Sequence, residues 1–377
     1  MNGLDFPRVG VLPSGQLDAI TDVGDIRVGH CTLDEGNVHT GVTVVLPNDD
    51  PLMQKPLAAS CIFNGFGKSV GLMQMAELGC LETPLALTNT FSVGAIATAQ
   101  IRAAVSAHPE VGREWSTVNP LVLECNDGYL NDIQSLAVTE KHYIEACASA
   151  SREFRQGSVG AGRGMSCFHL KGGIGSASRI AECGGQAFTV GALVLSNFGK
   201  AEHCLLAGRP VGHLLQERLD RIGAEAAVLA AAPEKGSIIM LLATDAPLDV
   251  LQLGRLARRA GNGLARTGSL FGHGSGDVAI AFSSSQHLPQ LAESAVPLLH
   301  APDGWMDRLF QAAAEATEQA IFKALFLRNR LAGAMAIDGP PFRKFCRNGV
   351  ISYGAKNRNS SGSEYGENDA HFDFCGY

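Results

Sequence analysis

The stretch GSIIMLLATDAPL, residues 236–248, decides the fold. From Ser237 onward it is an apolar run bounded by Gly236 and Pro247, and such a run is typical of a buried β-strand. Residues 248–260 then place apolar side chains on one broad face, which predicts an amphipathic helix. We therefore expect a strand followed by a helix, with the strand beginning at a serine that a glycine precedes.

Further strands and helices are predicted on both sides of this unit. β-Branched and apolar runs predict strands at residues 25–33, 39–47, 119–125, 187–199 and 277–284. Small and apolar residues at three- and four-residue spacing predict helices at residues 69–80, 92–107, 140–155 and 305–327. Because no regular strand–helix–strand rhythm is present, the pattern favours stacked α/β layers over a Rossmann or TIM-barrel chain.

The composition excludes several classes of protein. Of the 377 residues, 46% are hydrophobic and 18% are charged, so the chain can bury a sizeable core. A net charge of −7 without any Lys/Arg run argues against nucleic acid as a partner. No apolar run reaches the roughly 18 residues of a membrane span, and no secretory signal is visible, so we expect a cytoplasmic protein without a membrane partner.

Other candidate sites are weak. The ten cysteines form no C-x-x-C pair and read as reduced, mostly buried thiols. The glycine run GSVGAGRGMSC (157–167) lacks the spacing of a phosphate-binding loop. His273 stands alone in a glycine loop, and His30 and His39 have no third ligand, so we predict neither a metal site nor a cofactor.

The dipeptide Gly236-Ser237 has the chemistry of a self-cleavage site. Glycine leaves its carbonyl open to attack by the serine hydroxyl because it has no Cβ. Hydrolysis of the resulting ester frees a serine whose own α-amine, with an ordinary pKa of about 7.7–8, can serve as a base. On its own the dipeptide is a weak signal, because Gly-Ser is common in loops and usually marks an ordinary turn at the start of a strand. The surrounding residues strengthen the prediction of cleavage.

Four polar residues fit such a nucleophile. Ser275 and Asp277 are two apart at the start of a predicted strand, so they face one side, where a carboxylate can assist a hydroxyl in proton transfer. Taken alone, the pair fits better a simple Ser-Asp turn that starts the strand. Asn197 ends a buried strand, where its carboxamide suits an oxyanion or a simple turn. Glu124 ends the apolar run PLVLE (120–124) and requires a cation, either a substrate ammonium or an internal Lys or Arg.

Together these segments resemble the self-processed serine aminopeptidases, a family that includes L-aminopeptidase/D-esterase and the β-peptidyl aminopeptidases. Seven segments carry the resemblance in family order, over about residues 8–330: GQLDAITDVGDIRVGHCTL (15–33), LETPLALTNTFSVG (81–94), LECNDGYLND (123–132), SNFG (196–199), GSIIMLLATDAPL (236–248), RLARRAGNGLARTGS (255–269) and GHGSGD (272–277). The cleavage dipeptide with its downstream Ser-x-Asp makes the match specific.

The resemblance implies a role for each residue of the reaction. Ser237 matches the nucleophile, and Gly236 matches the residue before the cut. Ser275 matches the second serine, and Asp277 matches the acid that completes the proton relay. Asn197 matches the asparagine of the oxyanion hole.

It also implies the substrate and the fold. Glu124 matches the acid that binds the free amine of the substrate. The expected reaction is hydrolysis of amides, esters or short peptides with a free N-terminal L-, D- or β-amino acid, through an acyl-enzyme on Ser237. Asn126, a candidate substrate-binding residue, stands where some relatives have an aromatic residue. The family fold is a four-layer αββα sandwich, Ntn-hydrolase-like with different connectivity.

The resemblance further implies an organisation in two chains. Self-cleavage gives an α chain of residues 1–236 and a β chain of residues 237–377 that remain associated and assemble further, commonly as tetramers of αβ pairs. The family pattern fades after about residue 327, and residues 354–377 are rich in Asn, Ser and Gly, which predicts a disordered tail.

Two other functions fit parts of this pattern. Ornithine acetyltransferases are similarly cut but pass their acyl group to an amine, and they typically expose a threonine, whereas this chain has Ser237. A catalytically silent binding protein of the same fold would not need the complete set of polar residues. Transfer of acetyl from N-acetylornithine to glutamate distinguishes the first function, and labelling of Ser237 by an acylating probe distinguishes the second.

Overall fold

The computed structural model describes residues 8–216 and 236–327, and two β-sheets lie at its centre. The strands are β1 (Arg27–Glu35), β2 (Val38–Leu46), β3 (Gln54–Gly65), β4 (Leu85–Asn89), β5 (Leu121–Cys125), β6 (Ser166–Cys167), β7 (Leu170–Lys171), β8 (Gly173–Cys183), β9 (Gln186–Asn197), β10 (Leu205–Leu206), β11 (Arg209–Pro210), β12 (Ser237–Thr244) and β13 (Gly276–Pro289). The helices are α1 (Leu72–Leu78), α2 (Val93–Ala107), α3 (Glu140–Ala148), α4 (Val250–Ala265) and α5 (Met306–Phe326).

The larger sheet positions the predicted nucleophile. Its strand order is β3-β13-β12-β9-β8, and β12 runs parallel to β13 and antiparallel to β9. In this register Ser237 pairs with Gly276 on one side and with Asn197 on the other. The sheet therefore brings together segments that lie about 40 residues apart in the sequence.

Strand β12 is buried on both faces, which explains its unbroken apolar sequence. Ile239 and Leu241 pack into the core between the two sheets, whereas Met240 and Leu242 pack into the core beneath α4 and α5. By the same alternation Ser237 lies on the face that looks toward the smaller sheet.

The smaller sheet has the strand order β1-β2-β4-β5. Its inner face shares the inter-sheet core, and its outer face packs under α2 and α3 through Val44, Val122, Ile96 and Tyr143. The layers are therefore helices, sheet, sheet and helices, and the predicted αββα sandwich is confirmed.

Several predicted elements differ from the structure. Strands β3, β4 and β8 were not predicted. The helix expected over 140–155 ends at Ala148, because the Ser149 hydroxyl donates to the carbonyl of His30 and Ser151 pairs with Val28 on β1. The glycine run over 157–167 forms a short 3-10 helix, Gly160–Gly164, and then enters β6.

The tail predicted at residues 354–377 lies outside the described residues. Within the described ranges, no helix combines the length and apolar character that crossing a membrane requires.

Candidate active site

Ser237 is the first residue of β12 and is only 6% exposed. Its Oγ accepts a hydrogen bond of 3.1 Å from the backbone N–H of Gly276. This donor orients the hydroxyl, and a backbone N–H in this position can stabilise negative charge on a serine oxygen. This donor could not be predicted from the sequence, because a backbone N–H has no sequence signature of its own.

Backbone segments pack closely around Ser237, and this packing explains why positions 236 and 276 are glycine. A Cβ at Gly236 would lie 2.2 Å from the carbonyl oxygen of Asn197. A Cβ at Gly276 would lie 2.7 Å from the backbone nitrogen of Gly67. Packing alone therefore requires glycine at both positions, in addition to any chemical role of Gly236.

Ser275 and Asp277 meet as their spacing predicts. The Ser275 hydroxyl donates a close hydrogen bond to Oδ1 of Asp277, and each residue is 1% exposed. Within the described ranges, the Ser237 hydroxyl bonds to the Gly276 N–H rather than to Ser275. The pair thus lies beside the nucleophile without a direct link between the two hydroxyls, and its catalytic role stays a prediction.

The carboxamide of Asn197 is held on both sides. Its Oδ1 accepts from the backbone N–H of Ser166, and its Nδ2 donates to the carbonyl of Asn126, both at 2.9 Å. Because the oxygen faces a donor and the nitrogen faces an acceptor, these partners fix the amide orientation. The amide nitrogen carries two hydrogens, and the oxyanion-hole role of Asn197 stays a prediction.

Asn126 takes part through its backbone. Its carbonyl positions Asn197, while its own side-chain Oδ1 accepts from the N–H of Gly128 at 2.9 Å in a local turn. The substrate contact predicted for the Asn126 side chain stays a prediction.

A two-stranded hairpin that no sequence pattern predicted supports Asn197. The hairpin consists of β6 and β7, and it supplies the Ser166 N–H. The Lys171 ammonium donates to the carbonyls of Gly162, Met165 and Gly172 at 2.8–2.9 Å. The lysine near the glycine run therefore binds the backbone of its own loop.

Glu124 is a buried carboxylate with neutral donors. It is 2% exposed, its Oε1 accepts from the Lys68 backbone N–H at 2.8 Å, and its Oε2 accepts from the Thr90 hydroxyl. The Lys68 ammonium turns away and donates to the carbonyl of Phe66. In the part of the chain that the structure describes, no ion pair reaches Glu124, so the internal cation that the sequence left open is not found there.

Gly67 lies between Glu124 and Gly276, the residue whose N–H bonds to Ser237. A Cβ built on Gly67 would be 3.5 Å from Oε1 of Glu124 and 3.8 Å from Cα of Gly276. A Cβ built on Gly276 would in turn be 3.3 Å from Oγ of Ser237. Neighbouring contacts through Gly67 and Gly276 therefore connect the surroundings of the carboxylate with those of the Ser237 hydroxyl.

The other sequence candidates have structural partners. Burial lowers the pKa of His30 to about 4. Its ring nitrogens lie 2.9 Å from the Thr43 hydroxyl and from the carbonyl of Arg155, as expected for a neutral ring. His39 bonds to Asp34 at 2.7 Å. No cluster of three or more potential metal ligands is present within residues 8–216 and 236–327.

Comparison with known proteins shows which family this chain belongs to. The profile described as peptidase family S58 matches residues 18–337. The match ends at residue 337, ten residues beyond the position near 327 after which the family pattern was expected to fade.

Individual relatives cover most of the chain. The β-peptidyl aminopeptidase BapA of Sphingosinicella microcystinivorans is 37% identical over 335 residues, which are 85% of this chain and 84% of that protein. The crystal structure of the PH0078 protein from Pyrococcus horikoshii OT3 is 44% identical, with a TM-score of 0.79 over 85% of this chain and 90% of that one.

A third relative is described by its fold. The L-aminopeptidase D-Ala-esterase/amidase from Ochrobactrum anthropi is 32% identical, with a TM-score of 0.78 over 87% of this chain and 91% of that one. That structure is described as a prototype for the serine aminopeptidases and as a new variant among the Ntn hydrolase fold.

Proposed function

Because this chain belongs to peptidase family S58, we propose that it is a serine aminopeptidase that cuts itself before Ser237 and then hydrolyses substrates with a free amino group. The observation that carries the proposal is a buried carboxylate, Glu124, without an ion-pair partner among the described residues. Gly67 and Gly276 connect it to a serine at the start of a strand. Such a carboxylate suits a substrate ammonium.

The first reaction is self-cleavage. Oγ of Ser237 attacks the carbonyl carbon of Gly236, the C–N bond breaks, and the proton of the hydroxyl ends on the freed amine. Water then hydrolyses the glycyl ester, which leaves a carboxylate on Gly236 and restores the hydroxyl of Ser237. The Gly276 N–H stabilises the serine oxygen as it loses its proton.

The second reaction uses the new terminus. The α-amine of Ser237 takes the hydroxyl proton as Oγ attacks the substrate carbonyl, and Nδ2 of Asn197 donates to the oxyanion. The resulting ammonium returns the proton to the leaving amine or alcohol, and water hydrolyses the acyl-enzyme. Because the two serine hydroxyls are not directly bonded, we assign the Ser275–Asp277 pair to orienting this amine.

The two halves of the cut chain are held together by the sheet. The first strand of the β chain, β12, pairs along its whole length with β9 of the α chain, and its side chains fill both cores. We therefore expect the αβ pair to remain associated after the cut. Assembly of such pairs into tetramers and a cytoplasmic location are further expectations from the family resemblance.

The need for a free amine provides the test of this function. An alanine p-nitroanilide is expected to be cleaved about thirtyfold faster or more, in kcat/KM, than its N-acetyl derivative, because acetylation removes the charge that Glu124 binds and a lost buried charge pair costs about 2–5 kcal/mol. Release of p-nitroaniline measures both rates. Equal rates for the two anilides would reject the aminopeptidase function.

Thr90 is expected to hold the amine anchor in place. Thr90→Val preserves the shape of the side chain but removes the hydrogen bond to Glu124. Since hydrogen bonds to charged groups contribute about 1.5–3 kcal/mol, KM for the alanine anilide is expected to rise about tenfold. Thr98→Val, at an exposed position on α2, is the matched control and should leave KM unchanged. An unchanged KM in Thr90→Val would contradict this positioning role.

A further inference from the structure

We propose that Gly67 sets the length of substrate that fits between the amine anchor and the nucleophile, because its missing side chain leaves room for the second backbone methylene of a β-amino acid. This inference rests on the proposed function. It assigns the discrimination between α- and β-amino substrates to one position.

The fold does not require glycine at position 67. Its φ is not in the left-handed region, since it is absent from the glycines that have a positive φ. A Cβ there would meet its nearest neighbours at ordinary contact distances, 3.5 Å to Oε1 of Glu124, 3.8 Å to Cα of Gly276 and 4.0 Å to Oγ of Ser69. Gly236 and Gly276 differ, because a Cβ at either would lie less than 3 Å from backbone atoms.

The space in front of Gly67 belongs to the site. Its borders include the carboxylate proposed to bind the amine and the residue whose N–H holds the nucleophilic hydroxyl. A glycine that neither the backbone nor packing demands, at this border, leaves a volume that a substrate can fill.

The position of Gly67 is fixed from both ends. The following N–H, from Lys68, donates to Glu124 at 2.8 Å, and the preceding N–H, from Phe66, donates to the carbonyl of Ser275 at 3.3 Å. Because the loop is hydrogen-bonded to Glu124 on one side and to Ser275 on the other, a methyl added at position 67 would stay next to the Glu124 carboxylate and Gly276.

The length of the substrate then decides what fits. An α-amino acid has one carbon between its amine and its carbonyl carbon, and a β-amino acid has two. With the amine on Glu124 and the carbonyl at Ser237, the extra methylene has to occupy the space between them. A methyl on residue 67 removes about the volume of one methylene, and one methylene in a tight pocket changes kcat/KM about tenfold or more.

The test compares two substrates that differ by one methylene, β-alanine p-nitroanilide and glycine p-nitroanilide. Gly67→Ala is expected to lower kcat/KM for the β-alanine anilide at least tenfold more than for the glycine anilide. The matched control is Gly65→Ala in the same segment, where a Cβ has nothing within 4 Å and the ratio should stay within twofold of the wild-type ratio. An equal change on both substrates, or no change, would overturn the proposal.

Two further readouts separate the possible failures. Intact mass reports whether Ser237 is freed in each variant. Turnover of p-nitrophenyl acetate, which has no amine, reports whether the freed serine is reactive. Gly67→Ser provides a second substitution at the same position. Failure of both variants to process would also overturn the proposal, because the fold would then need the space. A wild-type protein that cleaves neither anilide rejects the aminopeptidase function, and this inference with it.

Discussion

Ser237→Ala is expected to give one unbroken chain of 377 residues with no measurable turnover of the alanine anilide. The substitution removes the oxygen that attacks Gly236 and the same oxygen that forms the acyl-enzyme, so both reactions stop together. Loss of a serine nucleophile lowers kcat by about 10⁶-fold in a well-studied serine protease, and here the freed α-amine is lost as well. Intact mass and p-nitroaniline release measure the two effects.

An exposed serine gives the matched control for this variant. Ser106→Ala, on the surface of α2, should be processed and should turn over the anilide at the wild-type rate. A Ser237→Ala protein that is still cut between residues 236 and 237 would contradict the assignment of the nucleophile.

Glu124→Gln is expected to separate amine binding from acylation. Glutamine keeps the shape and an oxygen acceptor for the Lys68 N–H, and the Thr90 hydroxyl can accept from its amide, so only the charge is lost. We expect kcat/KM for the alanine anilide to fall about 10²- to 10³-fold, mainly through KM, because a buried charge pair with the ammonium is lost. Turnover of p-nitrophenyl acetate should stay within twofold, and self-cleavage should remain complete.

The control for Glu124→Gln is the same substitution at an exposed position. Glu77→Gln on α1 should leave kcat/KM for the alanine anilide and the turnover of p-nitrophenyl acetate unchanged. If Glu124→Gln lowered the turnover of both substrates equally, the carboxylate would act on the nucleophile or on the fold rather than on the substrate amine.

The parts of the fold with a strong local signal could be predicted from the sequence. Strand β12 is an unbroken apolar run and begins at Ser237 as predicted, and α5 has the expected apolar face. Strand β8 was missed because Gly173–Cys183 consists largely of glycine, serine and alanine, which signal neither a strand nor a helix. Its strand conformation comes from pairing with β9 and packing under α5.

Only part of the site could be predicted from the sequence, for a similar reason. Ser275 and Asp277 are two residues apart, so local geometry predicts their meeting, and the structure shows it. The pairing of Asn197 with Ser237 depends on long-range strand register, and only the family resemblance pointed to it. The N–H groups of Gly276 and Lys68 belong to the backbone, so the identity of the side chain does not indicate the hydrogen bonds that they donate.

The central claim is that the peptide bond between Gly236 and Ser237 breaks and so frees the catalytic amine. Intact-mass spectrometry of the freshly purified, soluble wild-type protein tests it most directly. We expect two chains, one ending at Gly236 and the other, of 141 residues, beginning with an unblocked Ser237. A single chain of 377 residues that stays whole while it hydrolyses the alanine anilide would contradict the account.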